Sequence, residues 1–257
     1  MAPASGVSAQ GRTEAPLFVG ETLKFTMTIM GVTGGELTLS ARATDLSGKP
    51  VYKLEMSALS NEVLSRVFIV RDYLASWIDP SNLRSVRFEK HTVEGKRVRD
   101  DRIDFLWDEG IARRDAVATP ITNPTFDSLS SVYYLRTLDL TGGTPVAINV
   151  MSRKVHSLTI HVHGRETVTT PAGTFRTIRV EPRSKGEGGL IGKGKNLLLW
   201  LTDDERKMPV QIRSKLKVGT LVGKLKAVAK SSPPLPTPTP GLARVRTDAF
   251  RPSPASF

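Results

Sequence analysis

Apolar and polar residues alternate one by one through most of the chain between residues 17 and 230. In the first such segment, apolar side chains take every second position, at Leu23, Phe25, Met27 and Ile29. After a glycine-rich turn, the alternation resumes with Leu37 and Leu39. A period of two places successive side chains on opposite faces of a β-strand. The pattern therefore predicts an antiparallel hairpin with one apolar face and one solvated face.

Similar short segments, separated by turn residues, follow along the rest of this core. They predict further strands at 52–58, 64–70, 73–79, 83–91, 97–107, 145–151, 155–163, 174–181, 195–201, 208–218 and 221–229. About a dozen short strands are typical of all-β folds, in which sheets curl or close to protect their edges. We predict a mainly β fold, built as a curved antiparallel sheet, a half-barrel or a barrel with one short amphipathic helix.

The predicted helix begins near Phe126, where the alternation gives way to spacings of three and four. The apolar residues with these spacings are Phe126, Leu129, Val132, Tyr133 and Leu140. Asp127 or Thr125 is placed to cap the first turn. We expect the helix to end at Gly142–Gly143 and to lie against an open sheet or plug one end of a barrel.

Composition divides the chain into three parts. Residues 1–16 are small and polar, and we expect them to be disordered. Residues 231–257 are rich in proline, which disfavours both helix and sheet ladder, so we predict an extended tail. The single β-rich domain between them spans residues 17–230, and glycines within 182–195 predict a mobile loop there.

Charge and cysteine content narrow the chemistry further. The 257-residue chain has a formal net charge of +12 and a sequence pI of about 10.1, which favours anionic partners. It contains no cysteine, which excludes disulfides, thiolate metal sites and cysteine nucleophiles. No apolar segment approaches the roughly 20 residues that span a bilayer, so we expect no transmembrane segment. The first residues lack the apolar region of a signal peptide, and the oligomeric state is left open.

Four segments of the core carry a resemblance to a known family. They lie at 20–25, 132–136, 170–175 and 200–209, beginning with Gly20, Val132, Thr170 and Trp200. In these segments the chain resembles the bacterial exported family known as domain of unknown function 3108. The resemblance implies a β-rich envelope protein in the periplasm or at the outer membrane, normally made with a signal peptide. It implies no established activity, so no catalytic residue is carried over from it.

The clearest candidate binding feature is a set of cations at alternating positions in the last two predicted strands. These residues are Arg213, Lys215, Lys217, Lys224 and Lys226. If the two strands pair as a hairpin, all five cations project from one side of the sheet. Such a face would suit the phosphate groups of an anionic lipid or glycolipid, or an acidic envelope polymer. The alternative is a solvated outer face whose lysines prevent edge aggregation.

Other residue patterns are weaker candidates. The apolar side chains from Leu23 to Leu39 would enclose a lipid tail if the helix does not fill the sheet's inner side. His161 and His163 share a strand face, but no third metal ligand is identifiable, so we predict no metal site and no cofactor. The acidic residues 203–205 follow an apolar strand, where aspartate favours tight turns.

Together these patterns predict a non-catalytic cell-envelope module for binding or assembly. Two alternatives stay open: a structural scaffold that binds a protein partner through its tail or a strand edge, and an uncharacterised enzyme. No coherent set of catalytic residues supports an enzyme. We do not expect nucleic-acid binding, because the aromatic and glycine signature of common single-strand readers is missing.

Overall fold

One sheet of fifteen strands dominates the computed structural model, which describes residues 15–141, 145–184, 197–216 and 219–230. The strands of the first half are β1 (Glu21–Ile29), β2 (Val32–Leu46), β3 (Lys49–Ser60), β4 (Val70–Ile78), β5 (Ser85–Glu94), β6 (Arg97–Leu106), β7 (Ile111–Arg114) and β8 (Val117–Pro120). Those of the second half are β9 (Thr125–Phe126), β10 (Val146–Met151), β11 (Val155–Thr170), β12 (Gly173–Ser184), β13 (Leu197–Thr202), β14 (Pro209–Leu216) and β15 (Gly219–Lys230). Two helices accompany them in the described residues, α1 (Glu62–Ser65) and α2 (Ser128–Leu135).

The strands follow one another in the sheet almost as they do in the chain. Their order is β8-β7-β6-β5-β4-β3-β2-β1-β15-β14-β13-β12-β11-β10-β9. All neighbours are antiparallel except β9 and β10, which pair in parallel. The first and last strands meet in the middle, where Glu21 pairs with Lys230 and Ile29 with Leu221.

The sheet must curl, because its two edge strands are close in sequence. Fifteen strands spaced about 4.8 Å apart would make a flat sheet roughly 67 Å wide. The chain from Pro120 to Thr125 can span at most about 19 Å, since consecutive Cα atoms lie about 3.8 Å apart. Edges β8 and β9 therefore approach each other, which gives the curved, barrel-like fold that the alternation predicts.

Helix α2 lies on the inner side of the sheet and closes one end. Asp127 caps it, as predicted, and accepts hydrogen bonds from the backbone amides of Leu129 and Ser130. The helix ends at Leu135, earlier than predicted. The amides of residues 136–138 then donate to carbonyls three residues back, and the Arg136 side chain binds Glu21. The predicted stop at Gly142–Gly143 lies outside the described residues. We call the α2 end, where β1 begins, the lower end, and the opposite end the upper end.

The predicted strand at 64–70 is wrong. Asn61 instead caps the one-turn helix α1 by accepting a hydrogen bond from the Leu64 amide at 2.9 Å. The amide of Phe68 then donates to the Leu64 carbonyl, which continues the turn. Two apolar residues of this segment, Val67 and Phe68, are 87% and 47% exposed.

Three short strands escape the sequence prediction, namely β7, β8 and β9, each of four residues or fewer. Segments this short show too few alternations for a period of two to stand out. The predicted disordered ends fall on residues 1–14 and 231–257, outside the described residues, as does most of the predicted loop at 182–195. Residues 182–184 of that loop belong to β12.

The core fills the lower half of the inner side. Leu23, Phe25 and Leu54 from the sheet are at most 1% exposed, and they share a cluster with Leu129 and Tyr133 of α2. A second cluster joins Phe126 and the helix end to the inner faces of β10 to β13. Among the described residues, neither helix has the length and apolar character needed to cross a membrane.

Candidate functional site

The predicted cations lie where β14 and β15 pair as an antiparallel hairpin. In this register Gln211 is opposite Lys224, Arg213 opposite Val222, and Lys215 opposite Thr220. Directly paired residues point to the same side of a sheet. Arg213, Lys215 and Lys224 therefore share the outer side, and all three are exposed. Lys217 lies outside the described residues.

The register also reduces repulsion between these cations. Each of the three is opposite an uncharged residue, so the closest like charges across the two strands, Arg213 and Lys224, are diagonal neighbours. Diagonal positions lie roughly 7–8 Å apart, against about 5 Å for direct pairs. The hairpin thus carries several cations on one side without placing two of them directly opposite each other.

Two further lysines extend this surface along β15 and across to β1. Lys226 is exposed and its Nζ lies 2.8 Å from Oε1 of Glu36 in β2. The hydrogen bond and charge of Lys226, together with the nearby charge of Lys24, hold the pKa of Glu36 below its usual range. Lys24 of β1 is exposed between them. We call Arg213, Lys215, Lys224, Lys226 and Lys24 the cationic face. Sequence reasoning missed Lys24, although it alternates with Leu23 and Phe25.

The tip of the β11–β12 hairpin borders the cationic face. The amide of Ala172 donates to the carbonyl of Leu225 at 3.1 Å, which ties the tip to β15. Lys224 Nζ lies 3.4 Å from the Thr169 carbonyl. A bulge in the β1–β15 pairing leaves Lys226 without a direct partner in β1. The hairpin tip therefore lies beside Lys224 at one edge of the cationic face, whereas Arg213 and Lys215 are exposed to solvent.

A buried ion pair anchors the end of α2 to the first strand. Arg136 Nη1 donates to Glu21 Oε1 at 2.9 Å, and both side chains are 2% exposed. Arg136 also donates to the Arg206 carbonyl, and its guanidinium lies over the rings of Phe18 and Tyr133. Arg206 adds a second cation, 3.3 Å from Glu21 Oε2. This network joins the end of α2 to the start of β1 and to the turn that carries Arg206.

Asp127 forms the other polar cluster inside the lower half. Its Oδ2 accepts hydrogen bonds from the Ser76 and Ser85 hydroxyls at 2.5 and 2.7 Å. Its Oδ1 accepts from the amides of Leu129 and Ser130 at 2.8 and 2.9 Å. Burial raises the pKa of Asp127 against the effect of these hydrogen bonds. The two hydroxyls and two amides thus share one carboxylate as their acceptor, which holds β4 and β5 against the start of α2.

The upper half of the inner side differs from the packed lower half. Leu23 and Phe25, beside α2, are 1% and 0% exposed, whereas Met27 and Ile29, further up β1, are half-buried. The same holds for other inner apolar side chains of the upper half, namely Met56, Leu74, Ile212 and Leu221. The predicted lipid-enclosing face is therefore divided: α2 fills its lower part, and the upper part keeps partly exposed apolar side chains.

The opposite wall of the upper half is charged. Leu74 points to the inner side of β4, and so does Asp72, two residues before it. Lys90 of β5 pairs with Leu74, and Asp101 of β6 pairs with Lys90, so both also lie on the inner side. Asp101 Oδ1 is 2.5 Å from Arg114 Nε of β7. Burial, helped by the charge of Glu94, raises the pKa of Asp72 to about 6. Its Oδ1 is inaccessible to solvent and has no hydrogen-bond partner among the described residues.

We expect Asp72→Asn to stabilise the protein at pH 8 but not at pH 4. A carboxyl whose pKa rises on folding contributes stability below its unfolded pKa of about 3.9, and loses it as pH rises through the folded value near 6. Because Asp72 is only partly buried, the expected gain is about 1 kcal/mol. Urea denaturation at both pH values measures it, and an equal gain at both would contradict the assigned cause.

The remaining candidate residues form ion pairs and turn hydrogen bonds. His163 Nε2 lies 2.7 Å from Glu181 Oε2, and Arg183 contacts the same carboxylate at 2.8 Å. Within the described ranges, no group of three or more histidine and acidic side chains is placed to hold a metal ion. Asp204 accepts hydrogen bonds from the amides of Arg206 and Lys207, as expected for a turn.

Comparison with protein families gives one match. The family described as "Protein of unknown function (DUF3108)" matches residues 24–226, which include most of the sheet and all five residues of the cationic face. No curated protein matches the chain.

Solved structures also match the chain. A β-barrel-like protein of domain of unknown function DUF1849 from Brucella abortus has a TM-score of 0.61 and 11% sequence identity. The alignment covers 85% of this chain and all of that one, so it supports a shared barrel-like fold. An inferred exported protein with a YmcC-like fold from Bacteroides fragilis NCTC 9343 has a TM-score of 0.31 and 11% identity. That alignment covers 84% of this chain and 98% of that one.

Proposed function

Since the chain belongs to the DUF3108 family, whose function is unknown, we propose from its surface that it is a non-catalytic binding module of the cell envelope. Its cationic face binds the phosphate or other anionic groups of an envelope lipid, glycolipid or polymer. Its location, in this proposal, is the periplasm or the periplasmic side of the outer membrane, where such components are exposed. The resemblance of the four core segments to an exported family supports that location.

The observation that carries the proposal is the shortage of acids beside the cationic face. Five exposed cations lie on three neighbouring strands, and among the described residues only Lys226 forms an ion pair, with Glu36. Like charges concentrated on one surface are costly unless salt or a bound anion screens them. An anionic ligand that spans β14, β15 and β1 would relieve this repulsion, and flexible lysines suit irregularly spaced anionic groups.

The inner side supports an amphiphilic ligand rather than a simple ion. Met27, Ile29 and Ile212 keep partly exposed apolar surface at the upper end of the strands that carry the cations. An amphiphile with an anionic head would meet both surfaces around the upper ends of β14 and β15. The anionic group is the essential part of the proposal, and the apolar part adds affinity.

The proposal is tested by removing three cations from the face. We expect Arg213→Gln, Lys215→Gln and Lys224→Gln together to weaken binding of soluble dihexanoyl phosphatidylglycerol and of linear polyphosphate at least tenfold, because each lost cation removes an attraction. Isothermal titration calorimetry at low and physiological salt measures the affinities. Wild-type binding should itself weaken as salt rises.

A matched triple variant separates local from net charge. Lys49, Arg153 and Lys154 are exposed cations on other turns and strands. Changing these three to glutamine removes the same three charges and should change the affinities less than twofold. Equal losses in the two triple variants would mean that net charge, not the cationic face, attracts the anions. Undetectable wild-type binding at low salt would refute the proposal.

A further inference from the structure

Exposed apolar side chains gather at the upper end of the sheet. In the part of the chain that the structure describes, eleven large apolar residues are exposed, and eight of them lie at this end. They are Met30, Val32, Leu59, Val63, Val67, Phe68, Val98 and Val117, and their exposed fractions run from 47% to 87%. We call them the apolar rim. Scattered apolar residues are ordinary on protein surfaces, but a concentration at one end is not.

Contacts between turns make the apolar rim continuous. The Asn61 side chain donates to the Thr33 carbonyl at 2.8 Å, and the Asn61 amide donates to the Gly34 carbonyl at 2.8 Å. These bonds hold α1 beside the β1–β2 turn, which carries Met30. On the other side, the Phe68 ring lies directly against Gly95 in the β5–β6 turn. The rim residues from β1 to β6 therefore form one supported arc.

Unpaired cations are interspersed along this arc. Arg66, Arg71, Lys96, Arg97 and Arg99 are all exposed, and none forms an ion pair with another described residue. The exposed acids on the turns and strand ends of this end are Glu62, Glu94 and Asp115, and the exposed Glu36 lies opposite Leu59 in the sheet. The arc thus combines protruding apolar side chains with an excess of positive charge.

We propose that the apolar rim docks on an anionic phospholipid bilayer, with Val63 and Val67 entering the head-group region and the rim arginines contacting lipid phosphates. This combination of apolar side chains and flanking cations is what binds proteins to anionic membrane surfaces. The inference goes beyond the proposed function, because it uses residues outside the cationic face and needs no anion bound there.

The charges argue against a second copy of the chain as the occupant. The centres of protein interfaces are depleted of charged residues, and unpaired charges buried there are costly. Pairing two rims would bring Arg66, Lys96 and Arg97 of both copies together with few acids to match them. In an anionic bilayer, each arginine can instead contact a lipid phosphate, and each valine can enter the boundary between the head groups and the acyl chains.

Sedimentation with vesicles tests the docking. The full chain is mixed with 100 nm vesicles of phosphatidylglycerol and phosphatidylethanolamine, and separately with phosphatidylcholine vesicles. We expect binding to the anionic vesicles alone, and a Val63→Ser, Val67→Ser double variant should bind them at least tenfold more weakly. These valines are 68% and 87% exposed, so the fold should tolerate both changes. Val228→Ser, at an exposed position of the lower end, is the matched control and should bind normally.

Each outcome bears on the proposal. Loss of vesicle binding in the double variant, with unchanged affinity for soluble phosphatidylglycerol, supports the rim independently of the cationic face. Unchanged vesicle binding in the double variant, or no wild-type binding, overturns it. Sedimentation velocity that shows a wild-type dimer, lost in the double variant, together with absent vesicle binding would instead make the rim a contact between copies.

Discussion

Replacing Arg136 with methionine is expected to lower the free energy of unfolding by about 3–5 kcal/mol. The substitution leaves the Glu21 carboxylate, 2% exposed, without its principal cation. Arg206, 3.3 Å from the other oxygen, is more exposed and compensates only in part. The change also removes the hydrogen bond to the Arg206 carbonyl and the contacts with Phe18 and Tyr133. Urea denaturation followed by tryptophan fluorescence measures the loss.

A double-mutant cycle separates the ion pair from packing. The double variant Arg136→Met, Glu21→Gln should lose less unfolding free energy than the two single variants lose together, by at least about 1 kcal/mol. The reason is that the double variant keeps no unpaired buried charge. Glu36→Gln is the matched control, since its partner Lys226 lies on the surface. Its effect should stay below about 1 kcal/mol. Additive effects in the cycle would show that Arg136 acts through packing alone.

Asp127→Ala is expected to cost about 3 kcal/mol. The variant loses the N-cap of α2, worth about 1 kcal/mol. It also leaves the buried hydroxyls of Ser76 and Ser85 without their acceptor, at about 1–3 kcal/mol for such groups. Because α2 closes the lower end, its loosening should also expose core residues, which faster amide hydrogen exchange in α2 would report.

Asn61→Ala is the matched control for Asp127. Asn61 also caps a helix, but α1 is short and contains no buried residue. Its loss should therefore cost only about 1 kcal/mol. Equal effects of the two substitutions would contradict the role assigned to the buried serine cluster.

The alternation of single residues was sufficient to predict the sheet and the side on which each described hairpin cation lies. Leu23 and Phe25 are buried, and Lys224 and Lys226 are exposed, as period two requires. A local signal also located the α2 cap, since Asp127 precedes the first helical turn. These features depend on near neighbours in the chain, which sequence displays directly.

Features formed by distant residues were beyond the sequence. Glu21 and Arg136 are 115 positions apart, and neither shows locally that they form a buried pair. Lys24 joins the cationic face only because β1 lies beside β15, an order that alternation cannot specify. The segment 64–70 was mistaken for a strand because it is rich in apolar residues, whereas the structure exposes Val67 and Phe68.

The proposed function requires anions to bind on the outer side of β14, β15 and β1. Backbone amide shifts of ¹⁵N-labelled protein, followed during titration with dihexanoyl phosphatidylglycerol, locate the bound lipid. We expect shifts concentrated at Arg213, Lys215, Lys224 and Lys24, reduced by salt and missing with dihexanoyl phosphatidylcholine. Shifts concentrated elsewhere, or the same shifts with both lipids, would contradict it.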